Sequence, residues 1–162
     1  MAWYEVIPNV QPRAQRTTAE CWLACLEMLF VWKGKDPTKI CDLIDEKTSL
    51  DSDYLRKNGI LPSECLEVAK ALGLRWSGGG DIAANVLEGA LKAHGPYFAG
   101  GAWRMNLSHA ILLTAVNTDT DKIKYINPME PSGQETTATM KWFNDNRGVV
   151  WKQSGSGFLY WQ

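Results

Sequence analysis

At 162 residues, with 45% hydrophobic and 22% charged side chains, the chain has the length of a single domain, 1–162, and the composition of a folded globular protein, which excludes a disordered chain and a fibrous repeat. A formal net charge of −1 is too little positive charge for general binding to a nucleic-acid backbone, and no apolar run approaches the roughly 18 residues a membrane span needs. The N-terminus lacks the basic start and apolar stretch of a secretory signal, so the chain is expected in the cytoplasm of its producer unless a specialised secretion system exports it.

Pro8 and Pro12 keep residues 1 to 16 extended, and Thr17-Thr18 offers a helix N-cap. From Glu20 to Lys33, the residues Cys21, Trp22, Cys25, Leu26, Met28, Leu29 and Trp32 recur at helical spacing over a wide apolar arc, as in a central helix. Asp36-Pro37 opens a second helix with Ile40, Cys41 and Ile44 as its stripe. A third fits Pro62 to Leu72, stopped by Gly73, and a fourth fits Asp81 to Lys92, stopped near Gly95-Pro96. Beyond residue 95 the period changes. Residues 96–99, 109–116, 122–126, 149–152 and 158–161 are short runs rich in β-branched and aromatic residues between turn clusters, with a short helix at 138–144. Helices first and strands second is the α+β pattern: a helical N-terminal part packed on a C-terminal, mostly antiparallel sheet.

The four cysteines, 21, 25, 41 and 65, precede both histidines, 94 and 109. Only Cys21 and Cys25 are closely spaced and no second pair completes a zinc site, so no metal is expected. Cys21 falls in the first turn of the central helix, where the dipole and the first N–H groups favour a thiolate. Cys25, one turn deeper, reads as inert core, and the frequent burial of cysteine would alone account for both. His109 opens the strand 109–116 and Asn127 closes the strand 122–126, while the polar turn 117–121 between them makes a hairpin. A fold about residue 118 sets His109 and Asn127 opposite one another, at a Cβ separation of roughly 5 Å. At that distance an amide can orient an imidazole. A thiolate, a histidine, an orienting group and oxyanion donors are the parts of a cysteine protease. Gln15, six residues ahead of Cys21, is the candidate oxyanion donor beside the Cys21 backbone N–H, with Gln11 a weaker one. Trp22 is placed at the cleft next to the nucleophile, with Gly100, Gly101 and Trp103 on the approach to His109; His94 reads as a helix-terminal residue.

Gln15, five intervening residues and then Cys21-Trp22 resemble the glutamine-to-Cys-Trp spacing of papain-like cysteine proteases. Cys-Trp-x-Ala-Cys followed by Leu-x-Met-Leu is similar to the helix of their small bacterial effector branch. Ser108-His109-Ala110 with the apolar run to Val116 resembles that branch's His-Ala strand, and Tyr125-Ile126-Asn127-Pro128 its following Asp-Pro or Asn-Pro. The likeness touches residues 11 to 32 and 95 to 131. The Cys-Gly-(Ser/Ala)-Cys-Trp signature of plant and lysosomal enzymes is absent, and asparagine stands where many bacterial relatives have aspartate.

The resemblance implies a papain-like fold and a cysteine endopeptidase with the triad Cys21, His109 and Asn127, needing no cofactor. The branch includes plant-pathogen effector proteases, toxins delivered by type VI secretion and, more distantly, peptidases that trim bacteriocin leaders after double glycine. It therefore implies an effector or toxin acting in the cytoplasm of a target cell, few protein substrates, and a cognate immunity protein that blocks the cleft. Taken with Gly100, Gly101, Trp22 and Trp103, the double-glycine peptidases suggest a narrow aromatic-walled slot and cleavage after glycine. The same triad also suits deamidation, transglutamination or cleavage of peptidoglycan peptides. A catalytically silent binding module would differ from all of these in having no hyper-reactive cysteine.

Overall fold

Ten consecutive residues, Cys21 to Phe30, are buried in the first helix, α1 (Cys21–Lys33), so this helix is covered on every side rather than on one stripe. Gly34 ends it in the left-handed conformation at φ 79°, its N–H donating to Val31 O. The computed structural model describes residues 2–104, 107–130 and 134–162; of the stretch bearing the family likeness, 105, 106 and 131 lie outside. A 3-10 turn at Pro37–Lys39 leads into α2 (Ile40–Lys47), followed by α3 (Ser52–Asn58) and α4 (Pro62–Leu72). The last begins with proline at its first turn and stops at Gly73, φ 75°, as its sequence predicts. α5 (Ala84–His94) completes the helical part.

The strands are β1 (Tyr4–Glu5), β2 (Arg75–Ser77), β3 (Tyr97–Arg104), β4 (Leu107–Asn117), β5 (Lys122–Ile126), β6 (Glu135–Thr139) and β7 (Phe158–Tyr160). They form one antiparallel sheet in the order β2-β7-β3-β4-β5-β6, with β1 also on β4. The fold class is α+β, and α1 packs against β3 and β4. A continuous core runs from Val6 to Trp161 between the helices and the sheet. The start of α1 therefore faces the strand that carries His109.

Several elements differ from the sequence expectation. Residues 149–152 are not a strand but most of a short helix, α7 (Val149–Gln153), which follows α6 (Met140–Asn146). The β propensity of Val149-Val150 is overridden because both side chains stay in water, 67% and 66% exposed, while only Trp151 turns inward. Thr17 and Thr18 do not cap α1. Its N-cap is Glu20, whose carboxylate accepts from Thr17 Oγ1 at 2.9 Å. The short polar helix α3 has too few buried residues, Ser52 and Leu55, for periodicity to announce it.

Candidate active site

His109 and Asn127 meet through a hydrogen bond, Nε2 to Oδ1, of 2.7 Å. Their ladder does not set them directly opposite as the hairpin reading expected. Leu112 pairs with Ile126, so one further step sets Ile111 opposite Asn127, and His109 lies diagonally, two residues along on the same face. A β-bulge produces this parity. The register Ala115↔Lys124 carried straight on would put Leu112 opposite Asn127 and send Asn127 to the face away from His109. Thr114, the extra residue between Leu113 and Ala115, shifts the ladder by one and restores the shared face. Its carbonyl accepts from Val6 N–H at 3.0 Å, next to β1.

The orientation of the Asn127 amide follows from the backbone. Met129 N–H, which can only donate, bonds the same Oδ1 at 3.0 Å, so the atom facing His109 is the carbonyl oxygen. An amide oxygen only accepts, so His109 carries its proton on Nε2 and Nδ1 is the basic nitrogen.

Cys21 is the first residue of α1 and 7% exposed. Charged pairs fasten the segment ahead of it. Arg16 bonds the buried carboxylate of Glu27 in α1 at 3.3 Å, and Arg13 lies 3.9 Å from the same group. Glu20, next to Cys21 and only 2% exposed, accepts from Arg56 Nε of α3 at 2.9 Å. Burial pushes the Glu20 carboxyl up, but hydrogen bonds from Arg56 and Thr17 and the charges of Arg56 and Arg16 outweigh it, leaving the group below its ordinary range. Between these anchors Gln15 N–H donates to Pro128 O at 2.8 Å, which ties the segment to the residue after Asn127. Both hydrogens of the Gln15 amide point at loop carbonyls, Thr17 O at 2.8 Å and Thr18 O at 2.9 Å, and its Oε1 is buried. Gln15 thus shapes the turn entering α1. Neither Gln15 nor the exposed Gln11 is among the residues that border the cleft.

Cys21 and His109 share a cleft of about 380 Å³. Its other borders are Thr18-Ala19, the end of α3 with the residues after it (57–61), Ser108, Ala110 and Trp151. The four residues expected to wall a slot lie elsewhere. Trp22 is fully buried, its indole N–H donating to Leu55 O at 3.1 Å, so it anchors α1 to α3. Gly101 leaves space for the Trp103 ring, which a Cβ would meet at 2.6 Å, and Trp103 donates to Phe143 O away from the cleft. Gly100 is likewise occupied, because a Cβ there would collide with the Trp151 ring. These glycines admit indoles, not substrate, and the narrow slot built on Trp22, Gly100, Gly101 and Trp103 is not formed. Trp151, missed because its segment read as a strand, is the aromatic wall, its Nε1 donating to Ser108 Oγ at 3.2 Å. His94 ends α5 and packs its ring 4.9 Å from Tyr160, outside the cleft.

All four cysteines are thiols. Burial pushes the Cys25 and Cys65 thiols well up, with Cys21 adding to both, and burial also raises Cys41. These three are thereby poor nucleophiles. Among the described residues no three His, Cys, Asp or Glu side chains converge as metal ligands would, and no helix is long and apolar enough to cross a membrane.

A cysteine at the start of the central helix that borders one cleft with a histidine hydrogen-bonded to an asparagine on an antiparallel sheet is an arrangement that fits the papain-like cysteine proteases, which are hydrolases. The model of the family described as papain-like cysteine protease AvrRpt2 matches residues 1–148, and the chain belongs to that family. A comparison with curated proteins returns no match.

Proposed function

We propose that this chain cleaves a peptide bond with Cys21 as nucleophile, His109 as base and then acid, and Asn127 as the group that orients the imidazole. The carrying observation is the 2.7 Å bond between His109 Nε2 and Asn127 Oδ1 in a cleft shared with Cys21. The Cys21 thiol gives its proton to His109 Nδ1, and the thiolate attacks the substrate carbonyl carbon. The imidazolium returns that proton to the leaving amine as the C–N bond breaks, leaving a thioester on Cys21. His109 Nδ1 then takes a proton from water as its oxygen attacks the thioester, and the proton passes back to the departing sulfur. Throughout, Nε2–H stays on Asn127, which keeps the tautomer fixed.

The developing oxyanion is received by the Cys21 backbone N–H and by the Gln15 amide, which exchanges one loop carbonyl for the substrate oxygen. The sequence likeness of Cys21 to Leu29 and of Ser108 to Val116 to effector and toxin proteases supports a role as a bacterial effector delivered into a target cell. There it would cut few proteins and be restrained by an immunity protein seated over the cleft. New protein N-termini in cells expressing the chain, set against cells expressing Cys21→Ala, test the reading. A small set of termini absent from the Cys21→Ala sample is expected, and identical sets in both samples would overturn it.

A further inference from the structure

A second concavity of about 720 Å³ adjoins the cleft across Leu61 and α7, and neither Cys21 nor His109 borders it. Leu61 belongs to both hollows, and α7 turns Trp151 into the cleft and Val150 into the groove. Its surface is apolar and open to water: Leu61 is 58% exposed, Trp76 39% and Val150 66%. These three apolar side chains line one hollow. Among the described residues no charged side chain lines it, though Ser63, Gln153, Ser154 and Ser156 are polar and Lys70 Nζ lies 5.8 Å from the Trp76 ring.

The walls are preset by backbone contacts. Ser156 Oγ donates to Pro62 O at 3.1 Å, and Gly78 lies so close to the Ser154 carbonyl that a side chain there would not fit. α7 begins at Val149, just after the residues that the family model matches, 1–148. We infer that this groove holds a large apolar side chain of the substrate polypeptide, three or more residues from the bond that is cut, and so selects substrates by a feature remote from the chemistry. The inference rests on the protease reading above. The occupant is the substrate chain itself because the same loop and helix line both hollows, so a chain lying over Cys21 is led along them into the groove.

The test is digestion of a proteome-derived peptide library by the wild-type protein, Val150→Asp, Trp76→Ala, Val149→Asp and Cys21→Ala, with cut sites read by mass spectrometry. The wild type is expected to enrich Leu, Ile, Met, Phe or Trp at one position at least three residues from the cut. Val150→Asp and Trp76→Ala should lose that enrichment, with kcat/KM for a peptide bearing the apolar residue falling about tenfold or more, the scale of one lost apolar contact. A peptide shortened to omit that position should be cut equally by all variants but Cys21→Ala. Val149→Asp, on the same helix and equally exposed but outside the groove, should match the wild type. Cleavage without distal enrichment, or enrichment that survives Val150→Asp and Trp76→Ala, overturns the groove assignment alone. A wild-type digest identical to that of Cys21→Ala overturns the protease reading and the groove with it.

Discussion

His109 and Asn127 are carried by a sheet whose strands are locked by backbone hydrogen bonds on both edges of β4, whereas Cys21 and Gln15 hang on a segment pinned by ionised side chains. The backbone ladder of the sheet half does not titrate, although the Lys124–Glu5 pair and the Glu135 carboxylate on Thr114 Oγ1 add charged contacts to it. On the nucleophile half, the Glu20–Arg56 pair adds to the burial of α1 and to the Gln15 N–H bond to Pro128 O. Conditions that weaken the Glu20–Arg56 pair should therefore loosen the segment ahead of Cys21 more than the β4 ladder.

The largest effects come from atoms that change bonds. Cys21→Ala and His109→Ala should each abolish cleavage while circular dichroism stays near wild type and the urea midpoint falls no further than for other buried truncations, since neither change alters the ladder or the ion pairs. Cys25→Ala should keep activity and lose about 1–2 kcal/mol of stability, a usual cost for a buried truncation. Activity lost in Cys25→Ala but kept in Cys21→Ala would move the nucleophile to the wrong turn of α1. Next is the sheet half: Asn127→Ala should lower kcat about 10²-fold, the low end of what positioned acid–base groups contribute. Asn127→Asp, which still accepts from Nε2–H, should retain most turnover. Equal loss in both would show that accepting that proton is not what Asn127 contributes.

On the nucleophile half, Gln15→Ala should reduce kcat by up to about 10²-fold, as for removal of an oxyanion donor, and leave KM nearly unchanged. A rise in KM alone would reduce Gln15 to a brace for the turn. The smallest effects concern the pins. Arg56→Ala should cost about 1–3 kcal/mol, less than a fully buried pair because Arg56 is half in water. The folded-state carboxyl of Glu20 lies below its ordinary value of 4.5, so its pairing contributes fully above that pH and is lost as pH falls through the lowered value. Urea midpoints of wild type and Glu20→Gln should accordingly differ most at neutral pH and converge on acidification. A gap that persists at low pH would show that the charge of Glu20 does not fasten the segment.

The features legible in the sequence were those set by near neighbours along the chain. The apolar arc of α1, the Pro62 start and Gly73 stop of α4, and the β4–β5 hairpin all depend on residues a few positions apart. The pairing of His109 with Asn127 followed from the hairpin, yet its register did not, because the bulge at Thr114 is stabilised by contacts to Val6 and to Glu135 from other segments. Tertiary partners account for the misreadings. Gly100 and Gly101 looked like room for substrate, but the rings filling that room belong to Trp151 and Trp103. Trp151 was hidden inside a valine-rich run whose local preference is extended. Glu20 and Arg56, 36 residues apart, could be joined only once α3 was placed.

Timed alkylation with iodoacetamide at pH 6, with peptide mapping of the modified residue, shows whether Cys21 is the activated thiol. Access alone favours Cys41, which is half-buried while Cys21 is 7% exposed. The reverse is expected: Cys21 is modified first and fastest, and His109→Ala slows it sharply without affecting Cys41. Modification of Cys41 ahead of Cys21, or a Cys21 rate unchanged by His109→Ala, would contradict that role for Cys21.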